Sequence, residues 1–321
     1  MSALAFLAAA SLMSAFTGQA SGPIPELVGE GVLSTADDET SLAVSPDGKT
    51  AYFGKRSPAT YGGIALDVIC VSLLQHGRWS PPEVAAFSGQ YRDVGPSFSP
   101  DGSRLFFASN RPAPGKPGKD FDLWYVERTA GGWSEPRRLP APVNTSAQEI
   151  GVSVTAAGVL YFASDRPGGK GEFDIYRAKP SASGYSEPEN VGEGINTEGS
   201  EVYPAIDPAE TVLVFAATGR PDEVIGIHRE YAHGDLYVSR RDGSWSEARN
   251  AGTPINSGAK ESAPAFSADG KSLYFVSERG FATHRLPARI DYRSLRQKLS
   301  STLNGLGNLY RIDVRALTPG K

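Results

Sequence analysis

Cysteine is nearly absent from this chain: Cys70 stands alone. That excludes a disulfide framework, and no lipoprotein-type cysteine follows the apolar N-terminal run. Basic blocks are missing too, with 32 Lys and Arg scattered among 36 Asp and Glu for a net charge of -4. A nucleic-acid surface needs a stripe of positive charge to neutralise phosphates, so no nucleic-acid partner is expected. Histidine is scarce, at four residues. Beyond residue 20 no stretch is long and apolar enough to cross a bilayer, so no transmembrane segment is expected in the mature chain.

What the sequence does have begins at its N-terminus. Leu4 to Phe16 are almost wholly apolar or small, and Gly18, Gln19 and Ala20 end the run in residues suited to a signal peptidase. The pattern predicts a secretory signal over residues 1–20, although its start carries no Lys or Arg. A periplasmic or secreted protein is therefore expected, with one domain over 21–321. The 36 Gly and 24 Pro are spread along the chain, as many short strands joined by tight turns require.

A repeat organises the rest. Its anchor is the turn Ser45-Pro46-Asp47-Gly48, repeated as Ser99-Pro100-Asp101-Gly102. Degraded copies begin at Thr155, Asp207 and Ser267, giving intervals of 54, 56, 52 and 60 residues. Proline presets φ at the first corner, and Asp and Gly tolerate the later ones. A short strand precedes each anchor, and an aromatic strand follows it: Tyr52-Phe53, Phe106-Phe107, Tyr161-Phe162, Val214-Phe215, Tyr274-Phe275. After a variable loop comes a third strand, opening at Asp67, Asp122, Asp174, Asp235 or Asn308. A fourth starts at Trp79, Trp133, Tyr185 or Trp245, usually with Pro three residues on. Four short strands in about fifty residues describe one propeller blade, with Pro suited to its outer edge.

The fifth unit ends without its fourth strand, and the missing piece stands at the other end of the chain. Residues 25–34 read PELVGEGVLS, while the fourth-strand segment 188–197 reads PENVGEGINT. The expected fold is thus all-β: a five-bladed β-propeller of four-stranded antiparallel blades. Three strands from one terminus and one from the other close the last blade, so that no sheet edge is left open. A monomeric propeller is expected.

The repeats resemble the TolB-like, WD-type β-propeller repeats of bacterial exported proteins. The resemblance rests on the SPDG turn, the aromatic pair after it, and the endings Ser109-Asn110-Arg111-Pro112 and Ser164-Asp165-Arg166-Pro167. The Asp-[Ile/Leu]-[Tyr/Trp] start of the third strand completes it. It covers nearly the whole mature chain. It implies the propeller fold and a role among docking scaffolds, peptidase accessory domains and sugar-binding modules.

Alignment of the units exposes a ring of charge. A carboxylate stands six residues before each anchor: Glu39, Asp93, Glu149, Glu201 and Glu261. An arginine ends each second strand: Arg56, Arg111, Arg166, Arg220 and Arg279. Antiparallel pairing brings the two positions together around the central channel. One reading is a channel mouth whose acids bind a cation or work on a sugar; the other is five structural ion pairs. Equal numbers of acids and arginines favour the second, because a catalytic pair needs two acids in unlike environments.

Two insertions interrupt the repeat, and variable loops on a rigid scaffold are where function is usually carried. Residues 221–234 hold His228, Arg229, Glu230, Tyr231 and His233, and residues 280–307 hold His284, Arg285, Arg289 and Asp291. Within 291–303 the leucines at 295, 299 and 303 have helical spacing, predicting a short amphipathic helix packed on the propeller. His228 and His233 are five apart and match no zinc-helix spacing, so these residues are read as a polar binding rim and not as metal ligands. His76 reads as a solvated turn residue. Gly151-Val152-Ser153 lacks the second glycine of a nucleophile elbow, and Gly168-Gly169-Lys170-Gly171 has no helix to present its amides to a phosphate. No catalytic residue, metal or cofactor is assigned. The expectation is a binding or scaffold module for a protein or glycan, acting through the loop-bearing face. The alternative is a glycoside hydrolase or lyase at the channel mouth.

Overall fold

The computed structural model describes residues 23–58, 66–113, 120–182, 184–223, 234–280 and 289–317. Their strands form five antiparallel sheets, each running outward from an inner strand: the chain is a five-bladed β-propeller. From inside to outside, the first blade holds Asp38–Val44, Thr50–Arg56 and Asp67–Gln75, and the second Asp93–Phe98, Arg104–Ser109 and Asp122–Thr129. The third holds Glu149–Val154, Leu160–Ser164 and Asp174–Ala178, the fourth Ser200–Ile206, Val212–Thr218 and Asp235–Asp242. Glu261–Phe266, Ser272–Ser277 and Asn308–Asp313 build the fifth.

The outer strand is broken in two in the first, second and fourth blades. In the first blade Trp79 pairs with Leu74 and Val84 with Cys70, but Pro81 and Pro82 between them have no N–H to give. Closure comes from the N-terminus. Glu26 and Leu27 pair with Arg311 and Tyr310, in the same register as Glu189 and Asn190 on Arg177 and Tyr176. A second seam reinforces it, since the Glu39 amide donates to the Gly307 carbonyl at 3.0 Å and so ties the first blade to the last.

The anchor turns close on their own side chains. Ser45 Oγ donates to Asp47 at 2.6 Å, Asp47 receives the Lys49 amide at 3.0 Å, and Gly48 takes φ 71°. The aromatic pair after the turn fills two cores at once, because alternate strand residues face opposite sides. Phe107 packs with Tyr52 and Ile69 of the first blade, while Phe106 packs with Phe162 and Tyr176 of the third. The propeller core is therefore a set of apolar layers between blades.

The insertion in the fifth blade departs from expectation. Its helix is Tyr292–Leu299, capped by Asp291, and it buries none of its residues. Leu295, Leu299 and Leu303 are 37, 54 and 45 % exposed. The helix stands off the propeller instead of packing on it, because the blade cores are already filled by the repeat's own aromatics.

Candidate functional site

Each inner strand carries a bulge just after its carboxylate, which turns the strand at the channel wall. In four blades the second residue after the carboxylate lies at positive φ: Gly95, Gly151, Tyr203 and Ala263. Glycine takes this conformation freely, whereas tyrosine at φ 51° does so at a cost of roughly 1–3 kcal/mol. Space explains where the tyrosine goes. A Cβ on Gly151 would stand 2.6 Å from Tyr203 Cα, and one on Gly95 would stand 3.5 Å from its ring. The two glycines let the Tyr203 side chain cross the channel from the fourth blade towards Arg56 of the first.

Tyr203 divides the channel. On the anchor-turn side is a small compartment of about 70 Å³, lined by Pro96, Pro204 and Pro264 and by Ser41, Ser97 and Ser153 among others. On the opposite side is a cavity of about 230 Å³ with a polar wall. Asp38, Arg56, Lys260 and Glu278 line it, and Gly234 and Gly307, at the ends of the two inserted loops, form part of its rim. Burial raises the Tyr203 phenol above its ordinary value, with Arg56 pulling the other way. Among the described residues, nothing hydrogen-bonds the Tyr203 hydroxyl or the Lys260 ammonium.

The charged ring borders this cavity, whose lining includes Glu39 and Glu261, and its carboxylates are turned inward. Glu39, Glu149, Glu201 and Glu261 are fully buried and Asp93 is 1 % exposed. Four of them share one cradle, in which a Thr or Ser four residues upstream donates both its amide and its hydroxyl. Thr35 serves Glu39, Thr145 serves Glu149, Thr197 serves Glu201 and Ser257 serves Glu261. Asp93 is reached by Ser88 instead, at 2.7 Å. Burial lifts Glu39, Glu201 and Glu261 alike above the usual carboxylate range, against the pull of these donors and of the neighbouring cations.

Four arginines complete the module. Arg111, Arg166, Arg220 and Arg279 lie 2.7, 3.3, 3.2 and 3.3 Å from Asp93, Glu149, Glu201 and Glu261. Each also donates to a carbonyl of the crossing between blades, at Phe87, Val143, Ile195 or Ile255. Each guanidinium covers an aromatic pair, as Arg166 covers Phe162 and Tyr176 at 5.1 and 4.9 Å. The first blade departs from the expected pairing. Glu39 receives Lys55 at 3.3 Å, while Arg56 bonds Asp67 at 2.7 Å and lies 3.9 Å from Asp38. The reason is register: Lys55 is the residue opposite Glu39 and reaches it from the strand itself, which frees Arg56 for the channel mouth.

Of the loop candidates, His228, Arg229, Glu230, Tyr231, His233, His284 and Arg285 lie outside the described residues. Arg289 is exposed before the helix, and Asp291 accepts the Ser294 amide at 2.7 Å as its N-cap. His76 sits in a turn at φ 51°.

The chain matches no sequence-family model and no curated protein. Among solved structures it is similar to a putative TolB from Agrobacterium tumefaciens at 15 % identity. That match covers 86 % of this chain and 90 % of the other, with a TM-score of 0.47. The chain is also similar to an α-L-arabinofuranosidase from Lactobacillus brevis, at 12 % identity over 88 % of this chain and 92 % of that one, TM-score 0.47. A periplasmic gluconolactonase from Pseudomonas aeruginosa matches at 14 % identity over 74 % and 64 %, TM-score 0.39. These are likenesses of chain path, and the propeller itself is read from its own five sheets.

Two features of the site escaped sequence reading. Tyr203 carries no local sequence signal, since nothing in its neighbourhood marks a positive φ. Asn144, Asn196 and Asn256 are buried and each bonds both backbone groups of a third-strand residue, Leu123, Ile175 and Leu236 respectively. The recurring pair Asn-[Thr/Ser] before each of these three carboxylates was the available signal.

Proposed function

We propose that the chain is an exported binding module that captures a polar ligand, a glycan or a side chain of a protein partner, in the channel mouth. The carrying observation is Tyr203. A strained tyrosine that floors a polar cavity and leaves its hydroxyl free costs stability without serving the repeat, whose other blades place the smaller Ser41, Gly95, Gly151 and Ala263 there. An aromatic floor with convergent polar groups suits a hydroxyl-rich or amide ligand. Gly234 and Gly307, at the ends of the two insertions, line this cavity, which supports reading the insertions as part of the contact surface. The residues expected to bind are Tyr203, Arg56 and Lys260, with the candidates of the 221–234 and 280–307 loops around them. The ring acids serve architecture in this reading, which sets the hydrolase or lyase alternative second.

The test is a thermal-shift screen of glycans, peptidoglycan fragments and short peptides on the mature chain. A ligand held at 100 times its Kd stabilises by about 2.7 kcal/mol, which is roughly 5 °C or more in Tm. Tyr203→Phe and Lys260→Ala are expected to fold as the wild type does and to reduce that shift. Equal shifts in both variants would remove the channel mouth from the binding surface. Turnover of a glycan abolished by Glu201→Gln, with Tm unchanged, would establish the enzyme instead.

A further inference from the structure

The helix in the fifth blade carries an inference independent of the channel mouth. With 3.6 residues per turn, Tyr292, Leu295 and Leu299 share one face, and they are 74, 37 and 54 % exposed. Leu303 and Leu306 extend the apolar stripe beyond the helix, at 45 and 44 % exposed. Five large apolar side chains left to water in one segment mark a surface that something covers.

Charge identifies the covering partner. Residues 289–306 contain Arg289, Arg293, Arg296 and Lys298 against Asp291 alone, a local charge of +3 in a chain whose net charge is -4. On the helical projection Arg293 and Arg296 flank one side of the apolar face and Lys298 the other. Long basic side chains bordering an apolar stripe reach out to phosphate headgroups while the stripe enters the acyl boundary. A second copy of this chain would meet its own positive charge there.

The segment is also held to the propeller. Asn304 Nδ2 donates to the Ala36 carbonyl at 2.9 Å and Asn308 Nδ2 to the Thr302 carbonyl at 2.7 Å, so the base of the helix is pinned while its apolar face is free. The geometry points to an interfacial anchor: we infer that Tyr292–Leu299, with Leu303 and Leu306, seats the propeller on an anionic phospholipid surface.

Flotation of the mature chain with vesicles of phosphatidylcholine containing about a third phosphatidylglycerol tests this, with pure phosphatidylcholine vesicles as the comparison. The expected result is binding to the anionic vesicles that weakens with added salt. Arg293→Gln with Arg296→Gln is expected to weaken it roughly thirtyfold, from the usual contribution of a basic residue near such a surface. Leu295→Ser with Leu299→Ser is expected to abolish it, and both variants should melt as the wild type does because the altered side chains are exposed. Absence of binding to the anionic vesicles, equal binding by the variants, or a dimer that the leucine variant dissolves would overturn the proposal. The readout is separate from ligand capture, which Tyr203→Phe alters and these variants do not.

Discussion

Removing the Glu261 carboxylate is the sharpest probe of what the charged ring does. Glu261 is fully buried and receives the Ser257 amide at 3.0 Å, the hydroxyls of Ser257 and Ser277 at 2.6 Å each, and Arg279 at 3.3 Å. In Glu261→Ala all four donors lose that acceptor. Stranding one partner of a buried pair costs about 3–5 kcal/mol. The lower end applies here, because Arg279 keeps the Pro254 and Ile255 carbonyls and the Phe275 and Tyr310 rings, and its side chain is 22 % exposed. The serine hydroxyls can turn to other acceptors, so they add little. A loss of about 3 kcal/mol corresponds to a fall in Tm of roughly 6–12 °C, with this long domain towards the smaller figure. Calorimetry at neutral pH measures it, and Glu83→Ala, which removes an exposed side chain from an outer strand, is the control for substitution as such. Glu261→Gln should fall between, since it keeps the shape and one acceptor oxygen. A Glu261→Ala protein melting within 2 °C of the wild type would refute the structural account. If the same protein had lost ligand binding or turnover, the ring would belong to the site.

Two further outcomes are expected. Deleting residues 23–34 removes the strand that pairs with Tyr310 and Arg311, together with buried Leu33 and Ser34, and exposes a sheet edge. Light scattering after size exclusion should show self-association and urea unfolding should lose cooperativity; a monomer with an unchanged midpoint would contradict ring closure. The pH profile should be asymmetric. The raised pKa values of Glu39, Glu201 and Glu261 mean that the fold holds their protons more tightly than the unfolded chain does. Their contribution is full below the ordinary 4.5 and falls as pH rises through the folded values, so it grows as the pH is lowered towards 4.5. The turn residues Asp47, Asp101 and Asp269, lowered by the serine hydroxyl each accepts, contribute above 3.8 and lose that contribution below it. The melting temperature should therefore hold or rise as the pH is lowered towards 4.5 and drop only in stronger acid. In Glu201→Gln the rise should be smaller, and a steady fall over that range would contradict these directions.

Much of the fold was legible because it is written in short-range chemistry repeated five times. The Ser-Pro-Asp-Gly turns declare themselves through residues that bond one another within five positions, as Ser45, Asp47 and Thr50 do. Alternating aromatics such as Phe106 and Phe107 declare two buried faces. Even the closing strand could be found, since residues 25–34 repeat residues 188–197. In these cases the determining contact recurs with the sequence period, so one chain supplies its own alignment.

Only the tertiary structure decided the site. Whether Arg56 or Lys55 meets Glu39 turns on a one-residue difference in register, which composition does not carry. The positive φ of Tyr203 follows from a bulge, and its path across the channel follows from glycines in two other blades. The helix leucines have the same spacing whether they are covered or bare, and they are bare because the aromatic layers leave them no place. The sequence by itself determined the blades, their number and the way the ring closes, through local bonds and periodic burial. What lines the mouth of the ring, and what remains free there, depends on residues far apart in the chain. Their meeting is a property of the closed ring, not of any one repeat.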